Sequence, residues 1–403
     1  MAAETTLTGV WTPGDRAEGF YRYLPFEVPT GTNAVRVRLE YPRAGGVLDL
    51  GCFGAEGFRG WSGGARDRCE IGESAATPGY LPGELETGQW NVVLGLHRVP
   101  QPLEYTVTIA TSADPVTRVE ERVPVATERR PRRDLPAPTG MRWAAGDLHS
   151  HSEHSDGTLS LDALAASAAS AGLDFLAVTD HNTVSHHPHL AAAGDRHGVL
   201  LLPGQEVTTE RGHANAFGPL PWIDFRRPAQ HWLETTEAAG GLLSVNHPIA
   251  VDCAWRQHLS RPAPLAEVWH CTWRDRTWSG PLAWWLANGT ATTAIGGSDF
   301  HEPGRDRPLG QPTTWVLVPD GEPTVAAVLE ALRTGTVAIA ADIDGPALLR
   351  VEDELVAVAA DGAILSDYSG RRRLVRGETA RFPAPAGPHW LEDSRTTVLA
   401  IAN

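Results

Sequence analysis

The spacing of apolar and polar positions divides the chain into stretches of different period. In Ala34 to Tyr41, Val35, Val37, Leu39 and Tyr41 alternate with Arg36, Arg38 and Glu40, a period of two that predicts a half-buried strand. Tyr105, Val107 and Ile109 repeat it in LEYTVTIAT. Between them lie VLDLGCFG and WNVVLGLH, separated by Gly- and Pro-rich turns, so residues 1–111 are expected to form a small β-sandwich. From Ser112 the chain turns polar, charged and proline-rich, which predicts a linker or extended strap over 112–140. The run Arg129-Arg130-Pro131-Arg132-Arg133 reads there as a solvated connector rather than a nucleic-acid patch.

After Met141 strands alternate with helices. Ser160 is placed to cap a helix through LDALAASAASA that stops at Gly172. Apolar runs ending in DFLAVTDHN, GVLLLPGQEVTT, GLLSVNHP and TTAIGGSDFH are separated by helical stretches such as AQHWLETTEAAG and TVAAVLEALRTG. Such repeats favour a parallel sheet or barrel over 141–342. Residues 343–403 look different, a β-rich appendage with turns at Asp361-Gly362 and Ser369-Gly370.

Length and composition add bounds. A chain of 403 residues exceeds one typical domain, and 42% hydrophobic with 21% charged residues allows a good-sized core. The net charge of −15 argues against broad nucleic-acid binding, which needs a basic footprint. It leaves room for an anionic substrate, because bound metal inverts the local field. No stretch is apolar for long enough to span a bilayer, and the first residues lack the pattern of a secretory signal. Cys52, Cys69, Cys253 and Cys271 fall in no CxxC spacing. A cytoplasmic protein with free thiols and no membrane partner is expected, with the two flanking β regions as dimer contacts or lids if the chain is a homo-oligomer.

The chemistry gathers where apolar strands give way to polar loops. His149 and His151 sit two apart in GDLHSHSEHSDG, so on an extended segment both imidazoles face one way. Asp156 follows in the same loop; Asp180-His181 ends one strand and Glu206 the next. His213 begins HANAFG, His247 ends LLSVNH, and Asp299 with His301 ends TAIGGSDFH. In a barrel such ends collect on one face, where barrel enzymes place their chemistry. Imidazoles with carboxylates and no thiolate suit Zn, Mn or Fe. The set is too large for one tetrahedral ion, so two or three divalent ions sharing a bridging carboxylate are expected, able to activate a hydroxide and clamp the attacking and leaving oxygens.

The motifs GDLHSHSEHSDG, AVTDHN, PGQEVT, GHANAFG, VNHP and GGSDFH together resemble, in order and approximate spacing, those of the polymerase and histidinol phosphatase (PHP) superfamily. Within it the chain looks most like the CehA/McbA-like metallohydrolases, over about Ala145 to Ala340. The resemblance implies a distorted (β/α)7 barrel. It implies that His149, His151 and Asp299 bind a first metal, that Glu206 bridges to a second held by His213 and His247, and that Asp156, His181 and His301 form a third site. At Asp156 the chain departs from the longest-motif members, which place a histidine there, and resembles the smaller phosphoesterase branch.

Other polar groups near these motifs have plainer readings. Glu153 and His154, and His186, His187 and His189, read as solvated loop residues. Arg211 and Arg305 flank the ligand motifs and are candidates to pair with a phosphate or carboxylate, and Arg305 is the nearer. Trp273 and Trp278 lie in a tryptophan-rich stretch that reads equally as a wall for a flat substrate or as packing. The expected function is hydrolysis of a small-molecule phosphoester by a metal-bound hydroxide, with Asp299 orienting or deprotonating the water and His301 or Arg305 assisting the leaving group. Alternatives are a carbamate, carboxylic ester or amide hydrolase with the same site, and a metal-free binding module in which the sandwich recognises a partner.

Overall fold

The computed structural model describes residues 3–117, 128–273, 276–277, 280–288 and 292–403. The chain divides into two compact units, one made of Met1–Arg122 with Glu153–Asp156 and His181–His186, the other of the remainder.

In the first unit two four-stranded antiparallel sheets share one core. One sheet runs in the order Ala3–Trp11, Leu103–Ser112, Ala34–Glu40, Arg68–Gly72; the other runs Tyr21–Val28, Gly88–Arg98, Val47–Gly54, Gly57–Gly63. The period-two reading explains the burial: Val35, Val37 and Leu39 point inward with Val107 and Ile109 of the neighbouring strand, and Leu48, Leu50, Trp90, Val92 and Leu94 meet them from the other sheet. His154 and His186, expected in solvent, are buried in this unit at 3% and 0% exposure. Their rings pack edge to face at 5.9 Å, and His154 Nδ1 pairs with Ser185 Oγ at 2.8 Å.

The second unit is built on a thirteen-stranded sheet flanked by helices. Met141–Asp147, Phe175–Val178 and Leu200–Thr209 pair in parallel, and so do Leu242–Val245, Leu265–His270 and Thr293–Gly297. Between the two groups lies Gly212–Phe217, antiparallel to both neighbours, so the sheet is mixed rather than wholly parallel. The cause is local. Thr209 pairs with Gly212 across a two-residue connection, which can close a hairpin but cannot carry a parallel crossover. Phe175–Val178 is buried along its whole length. Phe175 and Ala177 join one core, Leu176 and Val178 another, as alternation across a sheet covered on both faces requires.

The helix Leu161–Ala171 begins and ends where its sequence predicts. Ser160 Oγ accepts from Ala163 N, and Gly172 terminates it at φ +85. The last sixty residues are β-rich and divide between two sheets. Val398–Ala402 pairs with Val337–Ala340 and carries three further strands onto the large sheet, while Ala347–Val351, Glu354–Val358 and Thr379–Pro383 form a small sheet of their own. The arginine run is tied down by ion pairs and hydrogen bonds while Arg130 and Arg132 stay exposed to solvent. Arg129 and Arg132 both reach Asp174, at 2.9 and 2.6 Å, and Arg133 donates to the carbonyls of Ile343 and Gly345. All four cysteines are free thiols. Among the described residues, no helix is long and apolar enough to cross a membrane.

The edge strand Thr293–Gly297 comes back toward Met141–Asp147, an inner strand of the same sheet: Ser150, just beyond Met141–Asp147, forms a parallel bridge with Phe300, just beyond Thr293–Gly297. His151 N donates to Phe300 O at 2.8 Å, which joins the two motif loops directly.

Candidate metal centre

The polar ends of these strands deliver imidazoles and carboxylates into one buried cluster of the second unit. His149 is wholly buried. Its Nδ1 lies 2.9 Å from Glu267 Oε1, and its Nε2 faces Glu206 Oε1 at 3.3 Å and Asp299 Oδ1 at 3.2 Å. Because a carboxylate only accepts, Nδ1 carries the proton donated to Glu267, and Nε2 is turned toward two further carboxylates. That Nε2 has no hydrogen-bond partner. A buried nitrogen facing two carboxylates without a hydrogen bond is what a divalent cation would resolve.

The neighbouring groups extend the cluster. His151 Nε2 lies 3.0 Å from Asp299 Oδ1 and 3.6 Å from Glu206 Oε2. Glu206, wholly buried, has His213 Nδ1 at 3.1 Å and His247 Nε2 at 3.5 Å, and accepts from Asn246 Nδ2 at 2.9 Å. His270 Nε2 meets the other oxygen of Asp299 at 3.2 Å. His301 stacks on His151 at 4.1 Å and pairs through Nδ1 with the Asp299 carbonyl at 2.8 Å.

One donor atom each from His149, His151 and Glu206 lie within 4.8 Å of one another; so do those of His149, His270 and Asp299, and those of His247, Glu267 and His270. Donors that converge so closely, mixing nitrogen with carboxylate oxygen, fit the divalent ions expected of them.

The backbone is shaped to hold this set. His247 and Asp299 adopt positive φ, +26 and +51, unusual for non-glycine residues and a cost accepted where a side chain must be aimed. Gly297 has no side chain because a Cβ there would lie 2.4 Å from His149 Cβ and 2.5 Å from Glu267 Oε1. Asp147 accepts from the amides of His149, Ser298 and Gly310, at 3.2, 2.9 and 2.8 Å, and so clamps both ligand loops; burial raises its carboxyl pKa despite those bonds.

The electrostatics have one sign. Burial opposes a charged His149, yet Asp299, Glu267 and Glu206 outweigh it and raise its pKa well above the usual imidazole value. His247 is raised in the same way, against burial, by its bonds to Cys253 and Glu206 and by the charge of Glu267. Asp299 is held well below the carboxylate range although burial pushes the other way, first by His149 and then by its bonds to His151 and His270. The carboxylates demand positive charge. Protons on imidazole supply it here, and divalent cations would supply it in their place.

The remaining sequence candidates fall in several places. Asp156 and His181 belong to the first unit and face each other at 3.5 Å. Arg211 is exposed and donates to the Arg256 carbonyl at 3.1 Å. Arg305 is 80% exposed and lies 3.5 Å from Glu302. Trp273 is 6% exposed and meets Trp269 edge to face at 5.1 Å, in a core cluster with Leu282 and Trp285. Trp278 lies outside the described residues. Three members of the constellation, Glu267, His270 and Cys253, were not singled out from the sequence. The signal for the first was a carboxylate inside the apolar strand LAEVWH, which burial tolerates only when paired. His270 ends that same strand, as the other ligands end theirs.

The chain is similar to a two-domain protein of Bacteroides vulgatus containing a predicted PHP-like metal-dependent phosphoesterase, at 18% identity over 68% of this chain and 91% of that one, with a TM-score of 0.41. It is also similar to an amidohydrolase of Chromobacterium violaceum solved with bound sulfate and no metal, at 19% identity over 46% of this chain and 96% of that one, with a TM-score of 0.34. No curated protein matches the sequence. The PHP domain family model matches residues 147–249 of the chain, the stretch from the clamp Asp147 to just past His247.

Proposed function

We propose that this protein is a metal-dependent hydrolase of a small-molecule phosphoester, working with two or three divalent ions, Zn, Mn or Fe. One observation carries the reading: the buried Nε2 of His149 has no hydrogen-bond partner while it faces Glu206 and Asp299, and its other nitrogen is committed to Glu267. Bound divalent ions would supply Lewis acidity and make water a nucleophile near neutral pH. His149, His151 and Asp299 are suited to hold one ion, and His213 and His247 another, with Glu206 between them. The bridge between Ser150 and Phe300 supports reading the seven strands from Met141–Asp147 to Thr293–Gly297 as a distorted barrel.

The protein's own groups divide the remaining work. Asp299, set between His151 and His270, orients the attacking water. His301, with Nδ1 engaged by the Asp299 carbonyl, delivers a proton to the leaving oxygen from Nε2. Arg305, beyond the same ligand loop, pairs with the phosphate by exchanging Glu302 for it.

A carbamate or aryl ester is the second reading. It is favoured by the loop after His247, where Ile249 and Val251 are 42% and 95% exposed and offer an apolar rim. Metal content by mass spectrometry on protein purified without chelator, beside hydrolysis of a nitrophenyl phosphate and a nitrophenyl ester, tests both. Bound metal with chelator-sensitive phosphatase activity is the expected result. Metal with esterase activity alone transfers the conclusion to the second reading, and neither metal nor activity overturns both.

A further inference from the structure

We propose that Cys253 is a metal ligand, forming with His213 and His247 a sulfur-containing cation site that the imidazole and carboxylate motifs do not include. The inference rests on the reading of the cluster as a metal centre. Cys253 Sγ lies 3.3 Å from His247 Nδ1, and one donor atom each from His213, His247 and Cys253 lie within 4.8 Å of one another.

His247 and Cys253 share one loop of the second unit, His213 lies on the neighbouring hairpin, and the backbone holds them together. The loop after His247 is closed by Ala250 N donating to His247 O at 2.9 Å and Trp255 N donating to Pro248 O at 3.0 Å. Arg256 N then donates to Arg211 O at 2.8 Å, which fastens the loop to the hairpin turn just before His213. At that turn Gly212 has φ +112, and a Cβ there would lie 2.8 Å from Trp255 Cα. The loop therefore rests on the hairpin at van der Waals distance, and Cys253 is presented to both imidazoles by a fixed backbone.

Coordination replaces the S–H bond with a metal–sulfur bond and releases the thiol proton to solvent. Thiolate is a soft donor that favours zinc or cobalt over manganese. The set around His149, with His151, Glu206 and Asp299, contains no sulfur. The cluster thus offers two unlike cation positions, one nitrogen and oxygen, the other with sulfur. Zinc bound at the second would shield the thiol from alkylation.

The test uses the full chain, stripped of metal by chelation and titrated with cobalt. The expected result is an intense near-ultraviolet sulfur-to-cobalt band that is lost in Cys253→Ser and kept in Cys271→Ser, with the weaker visible bands of nitrogen- and oxygen-bound cobalt present in all three. Zinc affinity should fall about tenfold or more in Cys253→Ser, with manganese affinity unchanged. In the unaltered protein, zinc but not manganese should protect Cys253 from iodoacetamide, as read by peptide mass; this readout does not depend on how any variant folds. Cobalt binding without the sulfur band, or a band that survives Cys253→Ser, would overturn the proposal and leave the metal centre standing, with Cys253 only a hydrogen-bond partner of His247. Failure of cobalt, zinc and manganese to bind at all would overturn both.

Discussion

Glu267 holds two histidines of the candidate metal centre at once: Oε1 lies 2.9 Å from His149 Nδ1, and Oε2 accepts the backbone N–H of His247 at 3.0 Å. One buried carboxylate thus fixes the tautomer of one imidazole and the position of the other. Glu267→Gln keeps the volume but turns a donor toward one of these N–H groups. We expect divalent metal affinity to fall about ten- to a hundredfold, measured by competition with a chromophoric chelator. Unchanged affinity, in a variant with the parent's circular dichroism, would show that Glu267 does not position the ligands.

Metal binding should release protons. His149 and His247 have pKa values raised well above the ordinary imidazole value, so in the metal-free protein they hold protons at neutral pH. A cation must displace those protons, and apparent metal affinity should therefore rise with pH through the neutral range. Titration of zinc into weakly buffered protein with a pH indicator checks this. Acidification is expected, and zinc uptake with no proton release would contradict the charge balance derived for the cluster.

The first unit has its own pH dependence. Asp49 is 7% exposed, and burial pushes its carboxyl up from the ordinary 3.8 to about 7, with His181 and then Arg16 drawing it back down. The folded state therefore binds this proton more tightly than the unfolded state. The associated stability is fully present below about pH 4 and is lost as pH rises to 7, at roughly 1.4 kcal/mol per pH unit. Asp49→Asn removes that loss, so it should stabilise the unit by up to ~4 kcal/mol at pH 8 and change little at pH 4. Urea melts at the two pH values read the difference; an equal effect at both would locate the cause in packing.

Arg59 and Glu86 form a partly enclosed pair in the sandwich, 3.1 Å apart with side chains 9% and 16% exposed, and the guanidinium lies 5.0 Å from the Trp90 ring centroid. Arg59 also donates to the carbonyls of Glu84 and Gly83. Arg59→Met leaves Glu86 without its counter-charge and should cost about 3 kcal/mol. Arg59→Met with Glu86→Gln should recover a large part of this, and denaturant melts of both variants provide the measurement.

Much of this protein could be read along the chain, because local patterns decide local outcomes. Alternation at Val35, Val37 and Leu39 marks a strand with one buried face wherever that strand is paired, and Ser160 with Gly172 bounds its helix through bonds made within a few residues. The histidines and acids closing successive strands were visible for the same reason: a polar group ending an apolar run is a local feature. Tertiary structure alone decided what those groups meet. Glu267 lies 118 residues from the imidazole it orients, and nothing in LAEVWH says which side chain will stand 2.9 Å away. Cys253 reaches His247 across a loop that rests, through Trp255, on the turn at Gly212. The same holds for the mixed sheet and for His154 and His186, whose burial follows from what covers their loops. Periodicity and capping arise from contacts a few residues apart. The buried charge balance of the metal centre arises from contacts a hundred residues apart, which only the folded chain brings together.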